Sequence, residues 1–389
     1  MQIKKLYFIQ NFKKKGGEKM RKTMIIGLIS LLSIVLVYGF ADATVGGRCD
    51  NCHTMHNSQG GAPMNYDASA TPNALLLRGG CIGCHAQNTG DNIVNSVIPQ
   101  VLHTNATDLA GGNFRYCIDV ASQNKVHNVS GLSGAPGVQD TVLQNNPPGY
   151  LAAYDPASTD FNPASRLVCA GANGCHGNRD QATQDAAIKG SHHGSDTMLK
   201  FGGPINEATQ GGGSGGAGDF TTTAKSYRFL YNVHGGEDSD WHATSGAADH
   251  NEYKGVVFGA RVQTQSWSDV TTISDLCAEC HGKFHAGGLT GDSGIGTASP
   301  WLRHPTDALL PNSGEYASYT SYNVEVPVGR PSIPNAASGT VTPGTDVVAC
   351  VSCHAAHGTN YADILRWNYT VSMGAGTGCL RCHTQKSAY

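Results

Sequence analysis

The chain has 389 residues, with 26 Lys and Arg against 29 Asp and Glu, 17 His, 13 Cys, 50 Gly and 16 Pro. A formal net charge of −3 at pH 7 argues against a nucleic-acid partner, which would need a basic face. This much glycine and proline points to loops and turns rather than long regular elements.

Taken in order, the first stretch reads as an export signal. Lysines and Arg21 precede an apolar run from Met24 to Phe40, and Ala41-Asp42-Ala43 is an A-x-A cleavage site. The run is short for a membrane span. The expectation is a cleaved signal peptide over residues 1–43, with Met1 or Met20 as the start. Residues 44–389 would then form a single exported domain with no integral membrane segment. Residues 1–43 hold eight of the basic and two of the acidic residues, leaving 18 against 27, a net of −9 over 346 residues. That charge is compatible with positively charged partners or mineral surfaces.

Next comes Cys49-Asp50-Asn51-Cys52-His53. Two cysteines three apart, followed at once by histidine, is the attachment pattern of c-type haem. Two thiols add to the two vinyl groups, and the histidine lies beneath the iron as proximal ligand. The pattern recurs at Cys81-Cys84-His85, Cys277-Cys280-His281, Cys350-Cys353-His354 and Cys379-Cys382-His383, with a looser Cys169-x5-Cys175-His176 between. Chance supplies roughly 0.02 copies at this composition, so five strict ones identify haem attachment. Zinc sites require no histidine directly after each pair, and disulfides prefer longer loops. Six haem c groups over 346 residues leave too little chain for an apolar core around each. The haems themselves would be the core, stapled by thioether and iron bonds.

Motif starts are spaced 32, 88, 108, 73 and 29 residues apart. Between them, short helices are expected over Asn73–Leu77 and Asp180–Lys189, and Thr272 or Ser274 caps a turn carrying Cys277–His281. Tyr227–Val233, Val256–Phe258 and Val324–Val328 read as short strands. Gly211–Gly218 reads as a flexible loop, and the acidic Glu237-Asp238-Ser239-Asp240 as a solvated one. The fold class is mostly irregular coil with short helices and few short strands, wrapped around a chain of covalently bound haems. No phosphate loop, nucleophile elbow or zinc-protease helix is present.

The second axial ligand decides between enzyme and electron conductor, because an open iron binds substrate and a closed one does not. Proximal ligands are His53, His85, His176, His281, His354 and His383, leaving eleven histidines for six vacancies. Distal ligands are expected from six of His56, His127, His193, His250, His285, His304 and His357. His56, His285 and His357 follow their own motifs so closely that they would have to cross the porphyrin plane within a turn; each should serve a neighbouring haem. Pro305 stiffens the backbone at His304, and Asp249 can orient His250. Of the adjacent His192 and His193, at most one is a ligand. His103, His234 and His242 lack supporting context and read as structural or exposed. At the third site, Gly171 and Gly174 permit a bulge that brings Cys169 and Cys175 to one haem. The alternative is one thioether at Cys175 and a disulfide from Cys169 to Cys117, the odd cysteine.

These residues resemble a family. Cys-Asp-Asn-Cys-His-Thr-Met-His-Asn-Ser at 49–58, Leu302-Arg303-His304-Pro305, Cys350–His357, His127 in His-Asn-Val, His285 and a last motif near the C-terminus are similar to the OmcS-like and OmcE-like nanowire cytochromes. The resemblance implies an extracellular filament with little regular structure. Its haems would form one stack of alternating parallel and T-shaped pairs, all bis-histidine. It also implies that His56 ligates, in the adjacent subunit, the haem held by His354. The C-x5-C-H site, Gly211–Gly218 and the His192–His193 pair depart from the pattern.

The leading reading is therefore a homopolymeric electron conductor that catalyses no reaction and exchanges electrons with other redox proteins or extracellular acceptors. A monomeric periplasmic or cell-surface carrier is the second. A multihaem reductase with an open haem is the third, disfavoured by the surplus of histidine. Haemochrome assay and intact-mass spectrometry of the exported protein should return a chain beginning at Thr44 with six haems. Five haems would mean that the third motif is not loaded.

Overall fold

The structure is a computed structural model. It describes residues 48–66, 69–73, 76–86, 90–96, 98–132, 147–150, 166–193, 226–236, 249–257, 271–285, 304–334, 336–371 and 373–386. The stretches at 1–43, 211–218, 237–240 and His242, discussed above, lie outside the described residues. Thr44–Tyr389 forms one compact unit.

Most of the described chain is coil, and its regular pieces cluster at the cysteine motifs. Three motifs sit on single 3₁₀ turns, at Cys49–Asn51, Cys350–Ser352 and Gly378–Arg381. In each, the amide of the proximal histidine donates to the carbonyl of the first cysteine: His53 to Cys49 at 2.8 Å, His354 to Cys350 at 3.0 Å, His383 to Cys379 at 3.1 Å. One closed turn thus fixes both thiols and the imidazole on one side of the backbone. The second motif is the short helix Cys81–His85. The fourth lies in the longest described helix, Ile273–His285. Thr272 caps it as expected: the Asp275 amide donates to Thr272 Oγ1 at 3.0 Å, and the Thr272 amide donates back to Asp275 Oδ2 at 3.2 Å.

The third motif is built differently. Cys169 lies in strand Val168–Ala170 and Cys175 in strand Gly174–His176, which pair in parallel. Gly171 makes the return at φ 86°, and a methyl on Gly174 would lie 2.5 Å from the Ala170 amide nitrogen. The bulge therefore depends on both glycines.

A five-stranded sheet holds the centre of the second half, in the order Gly235–Gly236, Glu252–Lys254, Gly329–Arg330, Val347–Val348, Ala308–Leu309. Only the Glu252–Lys254 and Gly329–Arg330 pair is parallel. Among the described residues, three small apolar clusters take the place of one core, and each leans on motif cysteines: Cys277 in one, Cys169 in the next, Cys353 and Cys382 in the third.

Several expected elements differ. Tyr227–Val233 is a 3₁₀ turn over Tyr227–Phe229 rather than a strand, with Arg228 and Phe229 left-handed at φ 49° and 58°. That reversal aims the Arg228 carbonyl at the His176 ring, a tertiary demand that overrides β-propensity. The strand read at Val324–Val328 starts later, at Gly329, because the Val326 carbonyl accepts from Tyr319 Oη at 2.5 Å instead of from a neighbouring strand. Val256 and Val257 follow a strand rather than form one, and Phe258 lies outside the described residues. Of Asp180–Lys189, only Gln184–Ala187 is helical. The Gln181 carbonyl is taken by the Ala172 amide in closing the third motif's loop, so the helix cannot start earlier. Asn73–Leu77 is described only in part.

Residues 111–113 cross residues 357–358 at very short range. The His357 amide donates to the Gly111 carbonyl at 2.7 Å, and the Asn113 amide to the Gly358 carbonyl at 3.0 Å. Gly112 has φ 88°, and a methyl there would sit 1.9 Å from the Gly358 oxygen. Gly112→Ala should cost about 1–3 kcal/mol and lower Tm. Gly80→Ala, at φ −75° with open space around it, should change stability by less than about 0.5 kcal/mol. Parallel thermal unfolding of the two variants checks the contrast.

Candidate haem-binding centres

The histidines share one local arrangement. Ring Nδ1 atoms meet backbone carbonyls: His85 to Pro99 at 2.9 Å, His176 to Arg228 at 2.9 Å, His281 to Pro148 at 2.7 Å and His354 to Asp363 at 2.8 Å. His383 Nδ1 meets Glu315 Oε1 at 3.1 Å. A carbonyl can only accept, so in the neutral ring Nδ1 carries the proton and Nε2 carries the lone pair. This is how metal-ligating histidines are held in tautomer and orientation. Three of the distal candidates are held the same way: His56 by Asn73 at 2.8 Å, His127 by Ala356 at 2.5 Å and His304 by Pro305 at 2.8 Å.

The structure also brings imidazoles together in pairs. Ring centroids lie 6.1 Å apart for His85 and His192, 6.2 Å for His127 and His281, 6.2 Å for His176 and His357, and 6.3 Å for His304 and His383. Two metal–nitrogen bonds of about 2 Å plus two half-rings of about 1 Å give a separation of about 6 Å across one ion. The pairs therefore fit haem iron held by two histidines. Burial keeps them neutral, as ligation requires. It pushes His127 down to about 4 and His357 to about 3, each also repelled by the imidazole it faces, His281 and His176. His85, His176, His281, His304 and His354 are lowered by the same burial.

The motif cysteines lie in sequence order through the molecule. Burial, then the Cys52 thiol, pushes Cys84 up to about 11. Cys81 and Cys169 share a hydrogen bond, as do Cys277 and Cys350. Cys175 acts on Cys277. Burial raises Cys353 to about 12, with Cys379 the largest thiol contribution. Each motif is thus next to its successor. A buried ion pair between Arg179 and Glu279 ties the third motif to the fourth. Cys169 meets Cys81, and the Cys117 thiol lies 3.9 Å from the Asp119 carbonyl.

Other histidines stand differently. The imidazole facing His85 belongs to His192; the side chains of His193 and His285 lie outside the described residues. His103 is fully buried beside Asn113, with Nε2 3.1 Å from its Nδ2, a structural role. His250 reverses the ligand arrangement: Nε2 meets Glu252 Oε1 at 3.2 Å, and its ring stacks on Tyr322 at 3.6 Å and 12°. No second imidazole faces His56 or His354 among the described residues. The carbonyl partners Pro99, Pro148 and Arg228 were invisible in the sequence, because nothing local marks a carbonyl that serves a ring dozens of residues away. Proline before or at such a carbonyl is the only signal that could have been followed.

Comparison with known proteins agrees with the motifs. A family model described as a doubled CXXCH motif matches residues 343–388, the last two sites. C-type cytochrome OmcS of Geobacter sulfurreducens is 26% identical over 405 residues, covering 87% of this chain and 82% of that protein. Among solved structures, OmcS nanowires from Geobacter sulfurreducens align over 89% of this chain and 92% of theirs, at 20% identity and a TM-score of 0.47. An outer membrane cytochrome S filament from the same organism aligns over 85% and 86%, at 20% identity and a TM-score of 0.39. In its attachment motifs and over most of its length, the chain is similar to OmcS-type multihaem c-type cytochromes.

Proposed function

We propose that this protein is an exported hexahaem electron conductor whose subunits join end to end into a filament. The observation that carries the reading is the set of paired imidazoles: four pairs at about 6 Å, each fit to close both faces of one iron. Bis-histidine closure leaves no position for substrate, so only electrons move. Haem supplies the redox chemistry when bound. The chain's residues hold neutral imidazoles, order the motifs and exclude water. With the motifs adjacent in sequence order, each electron step spans only neighbouring groups.

Polymerisation is supported by two anchored rings outside those pairs. His56 and His354 are both anchored through Nδ1 to a carbonyl, like the paired rings, yet face no imidazole among the described residues. His56 of one subunit is the natural partner for His354 of the next. The solved filaments of the Geobacter cytochrome make homopolymers the form to look for, and its likeness favours an extracellular location. Other redox proteins or extracellular acceptors would take the electrons.

Two measurements test this. His56→Ala should abolish filaments in negative-stain images while leaving six haems per chain; unchanged filaments would remove the inter-subunit bond, and a wild type that stays monomeric would leave a soluble carrier. Separately, His192→Ala should convert one iron to high spin by EPR, whereas His193→Ala should leave all six low-spin.

A further inference from the structure

The first and fifth motifs are met by the same returning segment. Leu76-Leu77-Arg78 comes back beside the first motif, and Ile364-Leu365-Arg366 beside the fifth. Each return enters through a left-handed residue, Leu76 at φ 56° and Ile364 at φ 57°. The middle leucine bridges the proximal histidine in antiparallel fashion, Leu77 to His53 and Leu365 to His354. The carbonyl of the left-handed residue accepts from the amide after that histidine, Thr54 at 3.0 Å and Ala355 at 3.1 Å. The arginine amide then donates to the carbonyl of the second cysteine, Arg78 to Cys52 at 2.7 Å and Arg366 to Cys353 at 2.8 Å.

The guanidinium repeats as well. Arg78 Nη2 donates to the Asp50 carbonyl at 3.2 Å, and Arg366 Nε to the Val351 carbonyl at 2.8 Å. Asp50 and Val351 hold the same place, directly after the first cysteine of their motifs. Each arginine thus grips its attachment turn twice, by backbone and by side chain. A clamp alone needs no charge, since a carbonyl accepts equally from a neutral amide. Arg78 is nevertheless a cation only 9% exposed. Its contacts are neutral: the Met64 carbonyl at 2.5 Å, the Asp50 carbonyl, and the Tyr66 ring with its centroid 4.4 Å away. The Asp50 carboxylate is paired with Arg48 at 2.6 Å. A cation buried without a carboxylate is costly unless a negative charge arises nearby.

What lies nearby is the attachment chemistry. Burial raises the Cys52 thiol and Arg78 acts against it, and the same guanidinium opposes burial at Cys84 of the second motif. Arg366 opposes burial at Cys353 in the same way. Burial lowers His354; Arg366 adds to that, and the Asp363 carboxylate acts against it. A haem iron held at such a turn gains one negative charge when it takes one electron from a donor, with no proton moved and no bond changed. A fixed cation beside it favours that electron. Arginine keeps its charge at every working pH.

We propose that Arg78 and Arg366 are potential-setting residues: each holds a permanent positive charge beside the attachment turn it clamps and raises the midpoint potential of the haem carried there. The effect is larger at Arg78, buried among neutral groups, than at half-buried Arg366 with Asp363 close by. The proposal rests on those motifs carrying haem and is independent of whether subunits polymerise.

Spectroelectrochemical titration of the holoprotein tests it, with haem content read first by haemochrome assay. Arg78→Gln keeps the backbone bond and a side-chain donor but removes the charge. With six haems loaded, one midpoint should fall by a roughly tenfold shift in the reduction equilibrium, about 59 mV for one electron, and to the same extent across the neutral pH range. Arg78→Lys keeps the charge and loses the fork, so its midpoints should stay at wild-type values. Arg366→Gln should lower a second midpoint by less. Wild-type midpoints in both glutamine variants overturn the proposal. So does a fall in Arg78→Lys equal to that in Arg78→Gln, which would assign the effect to the hydrogen bonds. Where Arg78→Gln loads fewer than six haems, Arg366→Gln decides alone; haem loss in both makes the arginines structural clamps and overturns it too. A wild type without haem on these motifs, seen by peptide mass before any potential is measured, is a failure of the haem reading instead.

Discussion

The constraint on which the structure turns is a hydrogen bond from imidazole Nδ1 to a carbonyl. An imidazole can present either nitrogen, and a flexible loop gives it no fixed direction. A carbonyl at Nδ1 settles both, leaving Nε2 as the lone pair and orienting the ring. The acceptors come from segments far away in sequence: Pro148 for His281, Arg228 for His176, Ala356 for His127. Each bond therefore also fastens one loop to another. A chain with few helices and strands gains its tertiary order from the groups that aim its rings.

That economy explains the sparse apolar packing. The clusters around Tyr227, Phe114 and Tyr319 are small, and each borders motif cysteines. A core of this kind stays incomplete until a large flat apolar group fills the gap, so cofactor attachment and folding must be coupled. The close crossing at Gly112 and Gly358 shows the same demand from the other side. Backbone approaches backbone without side chains so that His357 is delivered to His176 from a distant segment. His357, three residues after His354, thus faces His176 of another motif.

Cysteine spacing made the attachment sites legible, because covalent chemistry leaves a local signature of five residues. The sparse secondary structure was legible from glycine and proline content. The partners of each ring were only partly so. His127, His304 and His357 stood out by neighbours such as Pro305 or by closeness to a motif, but nothing local separates His192 from His193. His250 looked like a ligand beside Asp249, whereas the strand that follows it supplies Glu252 to its Nε2. Tyr227–Val233 has every mark of a strand, and it turns because His176 needs the Arg228 carbonyl. In each case the missing information was a long-range contact that no periodicity encodes.

The loop presenting His56 carries the same logic outward. His56 and Asn57 are both left-handed, at φ 54° and 66°. Asn57 is buried and donates from Nδ2 to the Ser69 and Thr71 carbonyls at 2.7 and 3.0 Å, while its Oδ1 accepts from the Met64 and Asn65 amides at 2.8 Å each. One asparagine side chain thus closes the loop on which the exposed imidazole stands, with Nδ1 already committed to Asn73. A ring held this rigidly loses little conformational freedom on meeting a metal in another chain. His354, fixed by Asp363, is equally prepared on its side. In the proposed assembly, two half-sites that are each ordered in advance would lose little freedom on being joined by one coordinate bond, and that is the physical reason such a bond could extend an electron path from one subunit to the next.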